Sequence, residues 1–225
     1  MLSAGITVHS QAWGTSYMGS LQRILFVDTE TTGLRRPSAA SEDHDRVISI
    51  GFFDTDASAL QAGFCRGKFG YFIFNPQQAS AAGARRVHGY SDRILAQQDT
   101  FASCADMLFP AFGSADLIVS HNTDFDRPFV ESEFAGAGRS LRGKSWHCTM
   151  QAERARGGGS ASLDASIDRL GIQRQSGRHG ALEDAWLAMM LYLAQNGIRL
   201  PDQQYRPHCD PMNYRELVRK KVAVS

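Results

Sequence analysis

The sequence predicts an α/β domain, a central five-stranded mixed sheet flanked by helices, in the order β-β-β-α-β-α-β-α-α-α. Three observations carry that prediction. Three short apolar runs, Arg23 to Val27, Val47 to Asp54 and Lys68 to Phe74, precede any long helix and are separated by turn-rich connections, the pattern of an antiparallel meander. A fourth run, Asp116 to Ser120, passes directly into helical spacing, the strand-then-helix unit that supplies a parallel partner to a sheet. The segment Ala181 to Ala194 is rich in helix formers and carries an apolar face of Trp186, Leu187, Met190, Leu191 and Leu193, which suits a helix packed on that sheet.

Taken in order, R-I-L-F-V at Arg23 to Val27 is dense enough in apolar residues to be buried on both faces, so it belongs at the centre of the sheet. Leu34 to Asp45 is polar, holds Arg35, Arg36 and Pro37, and reads as a long surface loop. Asn75-Pro76 ends the third strand, and Ala79 to Ala84 reads as a short helical turn ahead of Arg85 to Tyr90. Thr100 is a natural N-cap for a helix that buries Phe101, Ala105, Leu108, Phe109 and Phe112. After the fourth strand, Phe125, Phe129, Val130 and Phe134 repeat the same spacing. Lys144 to Thr149 reads as the last strand, Met150 to Arg156 as a helix, Gly157-Gly158-Gly159 as a link, and Ser162 to Leu170 as a helix through Leu163, Ile167 and Leu170. Residues 1–20 read as a flexible leader, 21–200 as the folded domain, and 201–225 as a polar tail with a basic run of Arg215, Arg219, Lys220 and Lys221.

With 225 residues, 43% of them hydrophobic and 21% charged, the chain suits one globular domain with terminal segments rather than a disordered or membrane protein. The formal charge of +1 neither demands nor excludes a polyanionic partner. Cys65, Cys104, Cys148 and Cys209 form no C-x-x-C pair, and Cys209 beside His208 is isolated, so neither a zinc knuckle nor a redox motif is indicated. No stretch is long enough for a membrane span, and the first residues lack the layout of a signal peptide. A cytoplasmic protein with reduced thiols is the expectation.

Chemistry-bearing residues gather in three places. In F-V-D-T-E-T-T-G-L, Asp28 and Glu30 would stand side by side if the first strand continues through them. Two adjacent carboxylates repel, and a hard divalent cation is the usual remedy; the competing reading is two polar residues opening a turn at Thr31, Thr32 and Gly33. In H-N-T-D-F-D-R-P-F, Asp126 sits at a strand-to-helix junction, where open α/β sheets place their sites, but Thr123-x-x-Asp126 also fits a helix capping box. In H-G-A-L-E-D-A, His179 and Asp184 are about 140° apart on an ideal helix and would not share a face. They converge only if His179 lies on the loop before the helix; otherwise Asp184 and Glu183 simply complement the helix N-terminus.

These three segments, in this order, resemble the three motifs of the DEDD-type 3′-to-5′ exonucleases, in the subgroup whose third motif carries histidine. That subgroup includes the proofreading epsilon subunit of DNA polymerase III and RNase T. The resemblance runs from about Leu25 to Leu193, and V-H-G-Y at Val87 to Tyr90 also fits the family pattern. It implies an RNase H-like fold, an exonuclease domain at 21–200, and two divalent ions, Mg2+ or Mn2+, held by Asp28, Glu30, Asp126 and Asp184. It makes His179 the general base and prefers Asp126 to Asp124 because the family's acid directly follows the phenylalanine, here Phe125. It also implies that the Thr31 backbone and the Leu34 side chain meet the terminal nucleotide, and His88 is a further substrate-binding candidate that would help line the cleft. Arg35, Arg36, Arg85 and Arg86 are candidates for phosphate contacts.

Two positions depart from the pattern: Ser49 stands where relatives often carry an acid, and Cys148-Thr149 where many have Asp-Thr. Neither removes a metal ligand. The expected activity is release of nucleoside monophosphates from single-stranded or frayed DNA 3′ ends. RNA trimming by the same motifs is the alternative, and a non-catalytic polymerase-associated nucleic-acid-binding module is a third reading. A polymerase or repair partner and a homodimer are left open, and no membrane partner is implied.

Overall fold

The first strand, β1 (Arg23–Thr31), is the axis of the molecule, and its alternation splits the core in two. Ile24 and Phe26 belong to one apolar cluster, with Trp186, Leu187 and Tyr192. Leu25 and Val27 belong to the other, with Phe112, Phe129 and Phe134. All four strand side chains have no exposed surface, so the dense R-I-L-F-V run is buried on both faces, as its composition requires. Each such side chain contributes roughly 1.5–3 kcal/mol on leaving water. The computed structural model describes residues 22–37, 44–63, 67–175 and 179–198. The leader, the tail with its basic run, Cys65 and Cys209 lie outside the described residues.

β2 (Val47–Asp56) pairs antiparallel with β1, and β3 (Gly67–Ile73) antiparallel with β2. On the other side of β1, β4 (Leu117–Ser120) and β5 (Ser145–Cys148) add in parallel. The order across the sheet is β3-β2-β1-β4-β5. The meander and the two parallel additions are those the sequence predicts.

Helices cover both faces. Between β2 and β3 lies α1 (Ala57–Gln61), in a connection whose composition reads as turns. Asp56 makes the difference, because its carboxylate accepts from the backbone N of Ser58 at 2.8 Å and of Ala59 at 3.1 Å. α2 (Ala82–His88) starts later and ends later than the turn expected at Ala79 to Ala84. It closes on Gly89, whose φ of 78° is open to glycine at little cost. α3 (Asp92–Leu95) is a single turn too short to leave a periodic signal. α4 (Phe101–Ser114) and α5 (Thr123–Gly136) pack on the Leu25/Val27 face. After β5 come α6 (Thr149–Arg156), α7 (Leu163–Asp168) and α8 (Ala181–Gln195), the last packed on the Ile24/Phe26 face.

Two contacts fix the helices that matter for the site. Glu133 of α5 takes Arg46 in a two-pronged ion pair, 2.7 Å on each prong, and also accepts from the backbone N of Val47 at 3.1 Å. That anchors α5 to the start of β2. At Gly51 of β2, a Cβ would stand 2.2 Å from the backbone N of Leu182 and 2.3 Å from the backbone C of Ala181. The N-terminus of α8 therefore rests directly on the sheet, which only glycine permits here.

Candidate active site

The strand continues through the first acidic pair. Asp28 lies opposite Gly51 and Glu30 opposite Ser49, and the register breaks only after Glu30. By alternation both acids share the face of Ile24 and Phe26, the face that α8 covers. The turn at Thr31 to Gly33 exists, with the Thr31 hydroxyl donating to the Gly33 carbonyl at 2.5 Å, but it begins beyond the two carboxylates. Glu30 is buried; Asp28 keeps some exposed surface although protein crowds it closely.

Asp126 reaches the same place from the opposite layer. The N-cap of α5 is Asn122 rather than Thr123, and no side chain caps that end. Thr123 turns inward instead, its hydroxyl donating to the carbonyl of His147 at 3.1 Å. Asp126 therefore does not fold back in a capping box. Its Oδ1 accepts from the Thr29 hydroxyl at 2.8 Å and the Thr29 backbone N at 3.2 Å, which fastens it to β1 between Asp28 and Glu30.

The third segment resolves as the loop-and-helix arrangement. Gly180 is the N-cap of α8, so His179 lies just outside the helix while Asp184 is in its first turn. Their side chains meet, His179 Nδ1 to Asp184 Oδ2 at 3.0 Å. Glu183 does not serve the helix end alone; its Oε1 accepts from the backbone N of Gln175 at 2.6 Å and holds the preceding segment. Arg174, on that segment, pairs with Asp184 Oδ1 and also reaches Asp164 Oδ1 through Nε at 3.1 Å and Nη2 at 2.9 Å.

The electrostatics of this cluster are unfavourable to charge. Burial pushes Glu30 up to about 8, with the Asp184 carboxylate adding to the rise and His179 opposing it. Burial also raises Asp126 to about 7, against the hydrogen bonds from Thr29 and Ser120, which favour its charged form. Asp28 is held well above the usual carboxylate range, first by burial and then by Asp126, Asp184 and Glu30. These groups titrate together rather than singly. His179 is raised, chiefly by its hydrogen bond to Asp184.

No hydrogen bond from a described residue reaches the Asp28 or Glu30 carboxylate. One ligand atom each from Glu30, His179 and Asp184 lies within 4.8 Å of the others. A crowded, buried set of mostly carboxylate oxygens fits hard divalent ions such as Mg2+ or Mn2+. Asp28 and Asp126 adjoin the same cluster, as their mutual repulsion indicates.

The remaining candidates fall around this centre in different ways. Leu34 is 82% exposed, an apolar side chain held out on the loop that follows Glu30. Thr31 is buried. His88 is also buried, its Nδ1 accepting from the backbone N of Tyr90 at 3.0 Å and its Nε2 enclosed with no partner among the described residues. Burial lowers its pKa to about 4, so it is neutral near pH 7. Arg35 pairs with Asp45, Arg85 with Asp92, and Arg36 Nη1 donates to the carbonyl of Asp124 at 2.6 Å.

Sequence reasoning missed Thr29, Gly51, Asp45 and Arg174. Asp45 was expected on a surface loop but is buried, accepting from the Thr32 hydroxyl at 2.9 Å and the Arg35 backbone N at 2.8 Å, so it pins the base of the Leu34 loop. Only Gly51 left a signal, a glycine inside a strand pattern.

The chain matches the RNase_T family model, described as Exonuclease, over residues 25–192. It is 31% identical over 183 residues to the DNA polymerase III subunit epsilon of Buchnera aphidicola subsp. Schizaphis graminum, covering 78% of this chain and 75% of that protein. It is 30% identical over 184 residues to the same subunit of Escherichia coli K12, covering 79% and 73%. Among solved structures, a structure of Exonuclease I superposes with a TM-score of 0.62 at 19% identity, over 78% of this chain. This chain spans 40% of the Exonuclease I chain, so that likeness speaks to the fold alone. Among the described residues, no helix is long and apolar enough to cross a membrane.

Proposed function

This chain belongs to the exonuclease family whose model spans residues 25–192 and is a 3′-to-5′ exonuclease; from that premise we propose that it removes nucleoside monophosphates one at a time from single-stranded or frayed DNA 3′ ends, using two divalent ions. The observation that carries the proposal is the convergence of Asp28 and Glu30 from β1, Asp126 from α5 and Asp184 from α8 on one crowded cluster, whose first two members receive no side-chain hydrogen bond from a described residue. The four carboxylates would hold the ions. Bound there, the ions would orient the scissile phosphate, acidify the attacking water and stabilise the leaving oxygen.

The chain's own residues do the rest. Thr29 orients Asp126, and the His179–Asp184 contact orients the imidazole through Nδ1, leaving Nε2 to accept the proton of the attacking water. In that contact His179 is biased toward imidazolium; a cation on Asp184 would oppose the bias and return the ring to its basic form. In this reading the exposed Leu34 side chain, on the loop that follows Glu30, would press on the terminal base, and the Thr31 backbone would meet the terminal nucleotide. His88, packed on Tyr90, would help line the cleft as a neutral ring.

The buried thiol of Cys148 suits a cytoplasmic enzyme. The epsilon-subunit relatives make a polymerase or repair complex the natural setting to test, and a homodimer the alternative assembly.

The test is an end-labelled oligonucleotide incubated with purified protein and Mg2+ or Mn2+, run as matched DNA and RNA. Stepwise shortening of DNA from the 3′ end, lost in Asp28→Ala, is the expected result. No shortening with either metal, or undiminished shortening by the variant, contradicts the proposal, and faster digestion of RNA transfers it to exoribonuclease action.

A further inference from the structure

Both oxygens of Asp184 are already engaged, Oδ1 by Arg174 and Oδ2 by His179. A divalent ion on Asp184 would share an oxygen with one of these two cationic groups, and two positive charges on one carboxylate oxygen repel. His179 can shed a proton and stay beside the ion as a neutral ring. Arg174 cannot, since a guanidinium keeps its charge at any pH the protein survives. The direct competitor of the metal is thus Arg174, a side chain only 13% exposed, whose charge lies against a carboxylate that is itself 5% exposed.

The surroundings supply the place to which Arg174 withdraws. Its Nε and Nη2 already hold Asp164 of α7 at 3.1 and 2.9 Å, independently of the Nη1 contact with Asp184. Arg174 and Asp164 also line a cavity of about 370 Å3 together with Ile167, Asp168 and Ile172. The backbone beside it is fixed, because Gln175 donates to Glu183. Only the side chain has to turn: one prong lets go while two keep their partner.

We propose that Arg174 is a built-in counter-cation that competes with the divalent ion for Asp184 and yields to it by withdrawing onto Asp164, so that this three-residue relay sets the metal affinity of the active site. The inference rests on the reading of Asp184 as a metal ligand. Without divalent ions Arg174 screens the crowded carboxylates. With them it relaxes toward α7 and leaves Asp184 to the metal. The relay predicts effects of opposite sign at its two ends, which general damage to the fold would not produce. Removing the competitor strengthens metal binding, whereas removing its refuge leaves the displaced guanidinium unpaired and weakens it.

The experiment is calorimetric titration of the full chain with Mn2+ at alkaline pH. Arg174→Gln is expected to bind Mn2+ about tenfold more tightly than the wild type, on the scale of one charge contact. Asp164→Asn, at a side chain 61% exposed, is expected to bind it several-fold more weakly. In the Arg174→Gln background, Asp164→Asn should change little, which separates the relay from a simple loss of negative charge. Asp184→Asn is the control for the site. If it weakens Mn2+ binding while Arg174→Gln leaves binding unchanged or weaker, the relay is overturned and the metal site stands. If Asp184→Asn binds Mn2+ as well as the wild type, both readings fall.

Discussion

Thr29 shows how much of the site depends on a residue that is neither acid nor base. It lies between Asp28 and Glu30 in the strand and, by alternation, faces the other way, where its hydroxyl and backbone N both hold Asp126 Oδ1. A carboxylate this buried titrates at about 7 even with those bonds. Thr29→Val keeps the shape and the backbone contact but removes the hydroxyl donor, which raises Asp126 further and frees its orientation. The expected result is a loss of about tenfold in Mn2+ affinity with little change in melting temperature, measured by titration and by thermal unfolding. Legibility at this scale was uneven for a physical reason. Asp28, Glu30, Asp126, His179 and Asp184 could be named because three motifs in one order resemble those of a known family, although each alone also fitted a turn or a helix end. Thr29 and Arg174 could not, since a strand threonine and a loop arginine look the same whether or not a partner distant in sequence has come to rest on them.

The element that decides the geometry is α8, because it carries Asp184 and covers the face on which Asp28 and Glu30 stand. Its N-terminus can come that close only over the bare backbone of Gly51. Gly51→Ala would set a methyl group against backbone atoms of Ala181 and Leu182, which cannot rotate away, so the helix end must lift. Overpacking of this kind costs roughly 1–3 kcal/mol, and a misplacement of about 1 Å in reacting groups costs on the order of 10²-fold in rate. The expected outcome is a folded variant, with a melting temperature lowered by some degrees, that has lost most of its exonuclease rate in the oligonucleotide assay. The strands and long helices were readable because their periodicity spans many residues. α1 and α3 were not, because 5 and 4 residues offer too little pattern and α1 depends on a single cap, Asp56. The apparent capping box at Thr123 failed for a related reason: Thr123 found a tertiary partner in His147, and the helix end moved back to Asn122.

At the scale of the whole molecule, the proposed metal site would make stability depend on pH and on divalent ions together. Glu30 near 8 and Asp126 near 7 lie above the ordinary carboxylate values of about 4, so between those limits the folded chain holds more protons than the unfolded one. Stability is then full below about pH 4 as far as these groups are concerned, and declines as pH rises through their folded values. Glu30→Gln removes one of the opposed charges. In chelator, its melting temperature is expected to exceed that of the wild type by a few degrees at pH 8 and to match it near pH 5, in thermal scans across pH. Divalent ions reverse the order, because an ion at about 100 times its dissociation constant adds ~2.7 kcal/mol to a protein that binds it and less to one that binds it poorly. A wild type whose melting temperature is indifferent to both pH and metal would contradict this linkage. It also gives the Arg174 pairing a purpose, since one fixed positive charge among four carboxylates eases the fold while the metal is away.

The central claim is that the carboxylates gathered from three layers of the fold exist to hold the ions that cleave a phosphodiester. Crystals grown with Mn2+ and a nucleoside monophosphate, with the ions located by anomalous scattering, test it most directly. Two peaks are expected among Asp28, Glu30, Asp126 and Asp184, with the nucleotide phosphate on the ions and Leu34 against the base. Ions bound elsewhere, or none while Arg174 stays on Asp184, would contradict it.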